Sequence, residues 1–225
     1  MIEGIIFDFD GLILDTETPE FDAWQEFYAE YGVTLGLDAW ADCIGQRAGV
    51  FDPITHLEAL CGRSVCGDAL RAKHRERFHE LVMAESLRPG VTQYLDDAEA
   101  LGIPVAVASS ATRDWVGGHL ERLGIFERFR AVHTVEEVHH AKPQPDLFCL
   151  ALKTLGVCAE RAVVFEDSPN GVLAAKRAGV FAVAVPNRVT APLQWGHADL
   201  VVHSLAELSF AQLQERFRRC RIEEA

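Results

Sequence analysis

Two aspartates, Asp8 and Asp10, close the apolar run at residues 4–9 and are followed at once by Gly11. A buried charge without a partner costs several kcal/mol, so stability alone does not place a carboxylate pair there. A second pair, Glu166 and Asp167, follows the apolar run at 162–165 and leads into Ser168-Pro169-Asn170-Gly171. Four acids gathered in one place repel, raise one another's pKa values and need a cation. Their hard oxygen donors suit Mg2+, which takes a few carboxylates and completes its shell with water and phosphate oxygens. Two further run ends supply the opposite chemistry. Ser109-Ser110-Ala111-Thr112 offers hydroxyls and free amides at the start of a helical stretch, an anion-ready turn. Lys142 lies in Ala141-Lys142-Pro143-Gln144-Pro145-Asp146. Each group alone has a plainer reading. Asp8 and Asp10 can cap a turn, Glu166 and Asp167 or Ser109 can cap a helix, and Lys142 can be a solvated loop charge. Their joint occurrence at run ends is what points to a site.

Such residues need a frame that brings the run ends together. Runs rich in β-branched or aromatic residues read as strands at 4–9, 104–108, 162–165, 181–185 and 200–202. Helix-period segments at 91–101, 112–123, 146–155 and 169–179 alternate with them, each closed by a glycine. The pattern predicts an α/β fold, a doubly wound, Rossmann-like parallel sheet covered on both faces. In such a sheet the carboxyl ends of the strands bind ligands. Residues 15–87 break the alternation, with helical material only, at 21–31, 53–60 and 67–85. An insert of roughly 70 residues is too long for a βα connection and reads as an all-helical cap domain. Residues 1–14 and 88–225 are left as the core.

Composition narrows the partners. A net charge of −13 argues against nucleic acid and against an anionic membrane surface, both of which need clustered Lys and Arg. The six cysteines form no C-x-x-C pair, so they read as thiols of a reducing compartment rather than as a disulfide framework or zinc site. Met1-Ile2-Glu3-Gly4 lacks the n- and h-regions of a secretory signal, and no run is long enough to span a membrane. The expectation is a cytoplasmic monomer. The basic tail from Arg216 to Arg221 reads as a helix end. G-x-G-x-x-G and the P-loop pattern are absent, which argues against a nucleotide-binding Rossmann protein.

Asp8-Phe9-Asp10-Gly11-Leu12-Ile13-Leu14-Asp15-Thr16-Glu17 resembles the first motif of the haloacid dehalogenase superfamily, in its phosphatase and phosphomutase branch. Ser109 matches the second motif, Lys142-Pro143 the third, and Glu166-Asp167-Ser168-Pro169-Asn170-Gly171 the fourth. All four occur in order, and the helical insert falls where subfamily I members carry their cap. The resemblance implies Asp8 as nucleophile and Asp10 as general acid and base. It implies Mg2+ held by Asp8, the Asp10 carbonyl and Asp167, with Glu166 as an additional or supporting ligand. Ser109, with Ser110 beside it, and Lys142 would hold the phosphoryl oxygens. The implied activity is hydrolysis of small phosphorylated metabolites through an aspartyl-phosphate. The metal-independent dehalogenases of the superfamily have no use for Asp10 or the acidic pair.

A sugar phosphomutase is the nearest rival, but mutases of this kind carry a histidine where this chain has Glu20. A catalytically silent binding protein on the same fold is the other. The cap is expected to choose the substrate, with Glu20 and Arg47 as candidate specificity residues and Trp40 as cap core. Residues 15–62 hold ten acidic residues and one basic residue, Arg47, a net charge of −9. An acidic lid of this kind suits a small monophosphate.

Overall fold

The computed structural model describes residues 1–44 and 51–223. Six parallel strands form one sheet: β1 (Gly4–Phe7), β2 (Val105–Ala108), β3 (Ala131–His133), β4 (Ala162–Glu166), β5 (Phe181–Ala184) and β6 (Leu200–Val201). Their spatial order is β3-β2-β1-β4-β5-β6. The chain winds outward from β1 to one edge, then returns to build the other half from β4, so the order reverses between β1 and β4. Ile5 lies level with Val105 on one side and Val163 on the other. That reversal opens a crevice at the strands' carboxyl ends.

Side chains alternate across each strand, and both faces of the sheet are apolar. Ile5 and Phe7 pack with Tyr94 and Leu95, Val116 and Leu120, and Leu213 and Phe217. Ile6 points to the other face and packs with Leu147, Phe148, Val172 and Ala175. A third, separate apolar cluster joins Phe21, Trp24, Tyr28, Trp40, Leu57 and Leu70. It belongs to four helices that precede β2: α1 (Glu17–Glu30), α2 (Leu37–Ile44), α3 (Pro53–Cys61) and α4 (Gly67–Ala84). The remaining helices cover the sheet: α5 (Val91–Leu101), α6 (Arg113–Arg122), α7 (Asp146–Leu155), α8 (Pro169–Arg177) and α9 (Phe210–Glu223).

The doubly wound α/β expectation holds, and several details change. β3 has no counterpart among the expected strands, because three residues ending in His133 make no apolar run. Its identity as a strand comes from pairing with β2, Val107 level with Val132. α2 is likewise additional. α1 begins at Glu17 rather than 21, since Pro19 is tolerated in a first turn whose N–H groups lack helical partners anyway. β1 stops at Phe7, two residues short of the expected end. Beyond it the chain curls, with Leu12, Ile13 and Leu14 all donating to the Phe9 carbonyl at 3.0–3.3 Å. The basic tail is part of α9, where Arg218 and Arg219 pair with Glu215 at 3.1 and 2.9 Å. Among the described residues no helix is long and apolar enough to cross a membrane.

Candidate functional site

The carboxyl ends of β1, β2 and β4 meet at one cavity of about 390 Å³. Asp8, Asp10, Ser109, Ser110, Lys142, Glu166 and Asp167 all line it, so the structure brings together every core residue that the sequence singles out. Asp8 is held by the sheet itself, its N–H donating to the Phe165 carbonyl at 2.9 Å. Its side chain is 9% exposed. Lys142 reaches in from the loop before α7 and donates to Asp8 Oδ1 and, at 2.6 Å, to Glu166 Oε1. Its ammonium lies 4.8 Å from the centre of the Phe148 ring, which anchors the stem.

Glu166 is fully buried and fully engaged. Oε1 takes Lys142, and Oε2 accepts from the backbone N–H and the hydroxyl of Ser168 at 3.1 and 3.0 Å. Gly171, in the first turn of α8, makes room for it, since a Cβ there would lie 1.8 Å from Oε1. Asp167 Oδ2 accepts from Asn187 Nδ2 at 2.7 Å. Asn187 is fixed in turn by accepting from the N–H groups of Val189 and Thr190, both at 2.9 Å. Gly11 has φ +71°, a left-handed turn that favours glycine, and a Cβ there would fall 1.9 Å from Asp167 Oδ2. Arg88 donates to the carbonyls of Gly11, Val185 and Pro186, tying the loop after β1 to the loop after β5.

Asp10 is only partly buried. Oδ1 accepts from Trp115 Nε1 at 2.8 Å, and Ser109 Oγ lies 3.4 Å from Oδ2. Ser109 Oγ also accepts from the Ala111 N–H at 3.0 Å, which shapes the anion-ready turn. Ser110 is exposed on the cavity wall. A second cavity of about 470 Å³ continues from the first, sharing Asp10, Glu17 and Ala111 and adding Thr16, Glu20, Phe78, Thr112 and Trp115. Its walls come from the helices around α1 and α4 on one side and α6 on the other.

Carboxylate oxygens of Asp8, Glu166 and Asp167 lie within 4.8 Å of one another, a set that can hold a metal ion. Asp10 contributes no carboxylate to it. Burial pushes Asp8 and Asp167 well above the usual carboxylate range, with the charges of Glu166 and Asp10 adding to the shift at Asp8 and those of Asp8, Glu166 and Glu17 adding to it at Asp167. Lys142 opposes it at Asp8. Burial depresses Lys142, but Asp8 and Glu166 outweigh that and hold it charged. Burial also raises Asp10, Glu17 and Glu20, Glu17 to about 8 and Glu20 to about 7.

Glu17 carries a stability consequence. Its proton is held more tightly folded than unfolded, so folding is favoured at low pH and loses that contribution as pH rises from about 4.5 to about 8. Glu17→Gln is neutral throughout. Its melting temperature is expected to exceed the wild type's by a margin that grows from pH 5 to pH 8 and then levels off. Thermal melts at pH 5, 6.5, 8 and 9 check this, and a constant difference overturns it.

Trp40 is cap core as expected, 5% exposed, with its ring 5.9 Å from Phe21, and it also borders the first cavity. Glu20 borders the second cavity, 3.7 Å from His74 Nε2. Arg47 lies outside the described residues. Sequence reasoning missed Asn187, Arg88, Ser168 and Trp115. Asn187 was within reach, because it follows the run at 181–185 and so stands at a strand's carboxyl end like the others. Arg88 and Trp115 carry no such signal.

A model of the haloacid dehalogenase-like hydrolases matches residues 5–185. YhcW of Bacillus subtilis is 45% identical over 213 residues, covering 95% of this chain and 96% of that protein. The phosphorylated carbohydrates phosphatase of Thermotoga maritima is 33% identical, covering 80% and 82% respectively. Among solved structures, a haloacid dehalogenase family hydrolase from Deinococcus radiodurans with bound phosphate and sodium superposes with a TM-score of 0.77. It is 27% identical and covers 96% of each chain. With four motifs in order, their residues around one cavity and these relatives across nearly the whole chain, the protein belongs to the haloacid dehalogenase-like hydrolases.

Proposed function

We propose that the protein is a Mg2+-dependent phosphatase of small phosphomonoesters, with Asp8 as nucleophile and Asp10 as general acid and base. The observation that carries this reading is Lys142, bridging Asp8 and Glu166 at the ends of two adjacent parallel strands, at the edge of an open cavity. It fixes one oxygen of Asp8 and places a positive charge beside the atom that attacks. Phosphoryl transfer asks a protein mainly for positioning and for charge on the equatorial oxygens, and Lys142, Ser109 and Ser110 line the space where those oxygens would sit. Asp10 stands at the junction of the two cavities, where a leaving group would emerge. Its raised pKa keeps a proton available to the departing alkoxide. The phosphatase name of the Thermotoga maritima relative agrees with this reading. A cytoplasmic location goes with it, since Cys61, Cys66, Cys149, Cys158 and Cys220 are free thiols.

The donor set fits Mg2+. Three buried carboxylates supply hard oxygens, and the raised pKa values of Asp8 and Asp167 mark a cation deficit that Lys142 alone does not meet. Asp8, Asp167 and the Asp10 carbonyl would hold the ion, with Glu166 as support, since its oxygens already serve Lys142 and Ser168. The ion would supply charge neutralisation at the transferring phosphoryl group. We assign residues 15–87 to a cap that selects the substrate and residues 1–14 and 88–225 to the catalytic core.

The test is release of inorganic phosphate from p-nitrophenyl phosphate and from a panel of sugar and nucleoside monophosphates. Turnover is expected with Mg2+, loss of it in EDTA, and its return on adding Mg2+. Because Asp8 and Asp167 must give up protons to bind the ion, Mg2+ should raise the melting temperature more at pH 8 than at pH 5.5. A folded protein that turns over nothing overturns the reading in favour of a silent scaffold. Conversion of a sugar 1-phosphate to its 6-phosphate without phosphate release would make it a mutase. Preference for bisphosphates would contradict the monophosphate selectivity assigned to the acidic cap.

A further inference from the structure

Asp8, Glu166 and Asp167 each have a protein partner of their own. Lys142 takes Oδ1 of Asp8, and Lys142 and Ser168 between them take both oxygens of Glu166. At Asp167 the partner is Asn187, whose Nδ2 donates to Oδ2 at 2.7 Å. Oδ2 is also walled by the backbone of Gly11, where a Cβ would fall 1.9 Å from it and 2.9 Å from Asn187 Nδ2. Arg88 pins that wall. It donates to the Gly11 carbonyl and, at 3.1 and 2.9 Å, to the carbonyls of Val185 and Pro186 just before Asn187. Among the described residues, only Oδ2 of Asp8 and Oδ1 of Asp167 are then left to a ligand from the three carboxylates.

The Asn187 amide has one possible orientation. Its Oδ1 accepts from the N–H groups of Val189 and Thr190, both at 2.9 Å, and an inverted amide would set its own NH2 against those donors. The Asn187 N–H donates to Thr190 Oγ1 at 3.0 Å, so a closed turn from 187 to 190 holds the side chain. Asn187 is 5% exposed and Thr190 is fully buried, which keeps water from competing for these bonds. Cations differ in what they ask of a carboxylate. Ca2+ gathers roughly six to eight oxygens in a flexible shell and readily takes both oxygens of one carboxylate. Mg2+ demands a near-ideal octahedron and keeps several waters, and two oxygens of one carboxylate lie too close together for neighbouring corners of it. We infer that Asn187 is a metal-selecting residue: by holding Oδ2 it limits Asp167 to a single oxygen and favours Mg2+ over Ca2+. Lys142 imposes the same limit on Asp8. The inference rests on the reading of this cluster as a Mg2+ site.

Metal binding without substrate tests it. Mg2+ and Ca2+ are titrated separately into the whole chain at pH 8 and constant ionic strength, and the rise in melting temperature gives each affinity. The wild type is expected to bind Mg2+ the more tightly. Asn187→Ser keeps a hydroxyl that can accept from the turn's N–H groups and removes the donor to Oδ2. Its Mg2+ affinity should fall about 10- to 100-fold, as when the partner of a metal ligand is lost. Its Ca2+ affinity should fall less than about threefold, because the freed Oδ2 can join the larger shell. Asn187→Asp retains both accepted bonds of the turn, loses the donor, and should narrow the Mg2+ preference in the same direction. A wild type that prefers Ca2+, equal changes for both ions in Asn187→Ser, or an unchanged preference in a folded Asn187→Asp overturns the inference and leaves the metal site standing. A wild type that binds neither ion overturns the Mg2+ reading itself, and the inference falls with it.

Discussion

Asp8→Asn is expected to abolish turnover, by at least about 10⁴-fold in kcat, as removal of a covalent nucleophile does elsewhere. The carboxamide occupies the same space at the end of β1 but cannot form an acyl phosphate. The fold should survive. Asp8 sits at a strand end whose backbone N–H bond to Phe165 does not involve the side chain. Ionised Asp8 is also costly in that position, because burial, Glu166 and Asp10 all oppose its charge. The neutral amide removes those costs and gives up the pairing with Lys142, so the two changes offset each other and the melting temperature should move by only a few degrees. Acid quenching of the wild type during turnover should trap a hydroxylamine-labile phosphoenzyme, and the variant should trap none. Near-normal turnover of Asp8→Asn would sink the aspartyl-phosphate mechanism and would move the nucleophile to Asp10 or to a water.

That Asp8, the proposed nucleophile, is legible in the sequence has a physical reason. A parallel sheet buried on both faces leaves charged residues only one cheap place in a strand's neighbourhood, the carboxyl end, so Asp8 and the Glu166–Asp167 pair stand out against apolar runs. Ser109 and Lys142 stand out for the same reason once their loops follow such runs. What stays hidden is whatever depends on two segments meeting. β3 is a strand only because β2 offers it a partner. Glu166 reads as a metal ligand in a motif, yet in space Lys142 and Ser168 claim both of its oxygens. Trp115 carries no local sign of its contact with Asp10, 105 residues away in the chain. Gly171 and Gly11 look like turn residues, and only the packed site shows that a methyl group there would collide with Glu166 or Asp167.

Lys142→Met should damage both stability and catalysis, and pH separates the two. Lys142 is 7% exposed and is wedged between Asp8 and Glu166, themselves at 9% and 0%. Removing one partner of a buried ion pair typically costs about 3–5 kcal/mol, because the remaining charge is left unpaired. Here the loss has an outlet, since Asp8 already binds its proton more tightly than usual and without the lysine will bind it more tightly still. An acid whose folded pKa is raised adds stability below it and loses that contribution as pH rises through it. The variant's deficit in melting temperature is therefore expected to be small near pH 5 and to grow steadily towards pH 9. Catalysis has no such outlet. A protonated Asp8 is a poor nucleophile, and the phosphoryl oxygens lose their fixed positive charge, so kcat/KM should fall about 10³-fold, the upper range for losing one such donor. Lys142→Arg should not restore it. A planar guanidinium requires a forked site, while this pocket is built for a compact ammonium over the Phe148 ring. A melting deficit that is flat across this pH range, together with less than a tenfold loss of kcat/KM, would show that Lys142 is a loop charge and that the site takes its phosphate some other way.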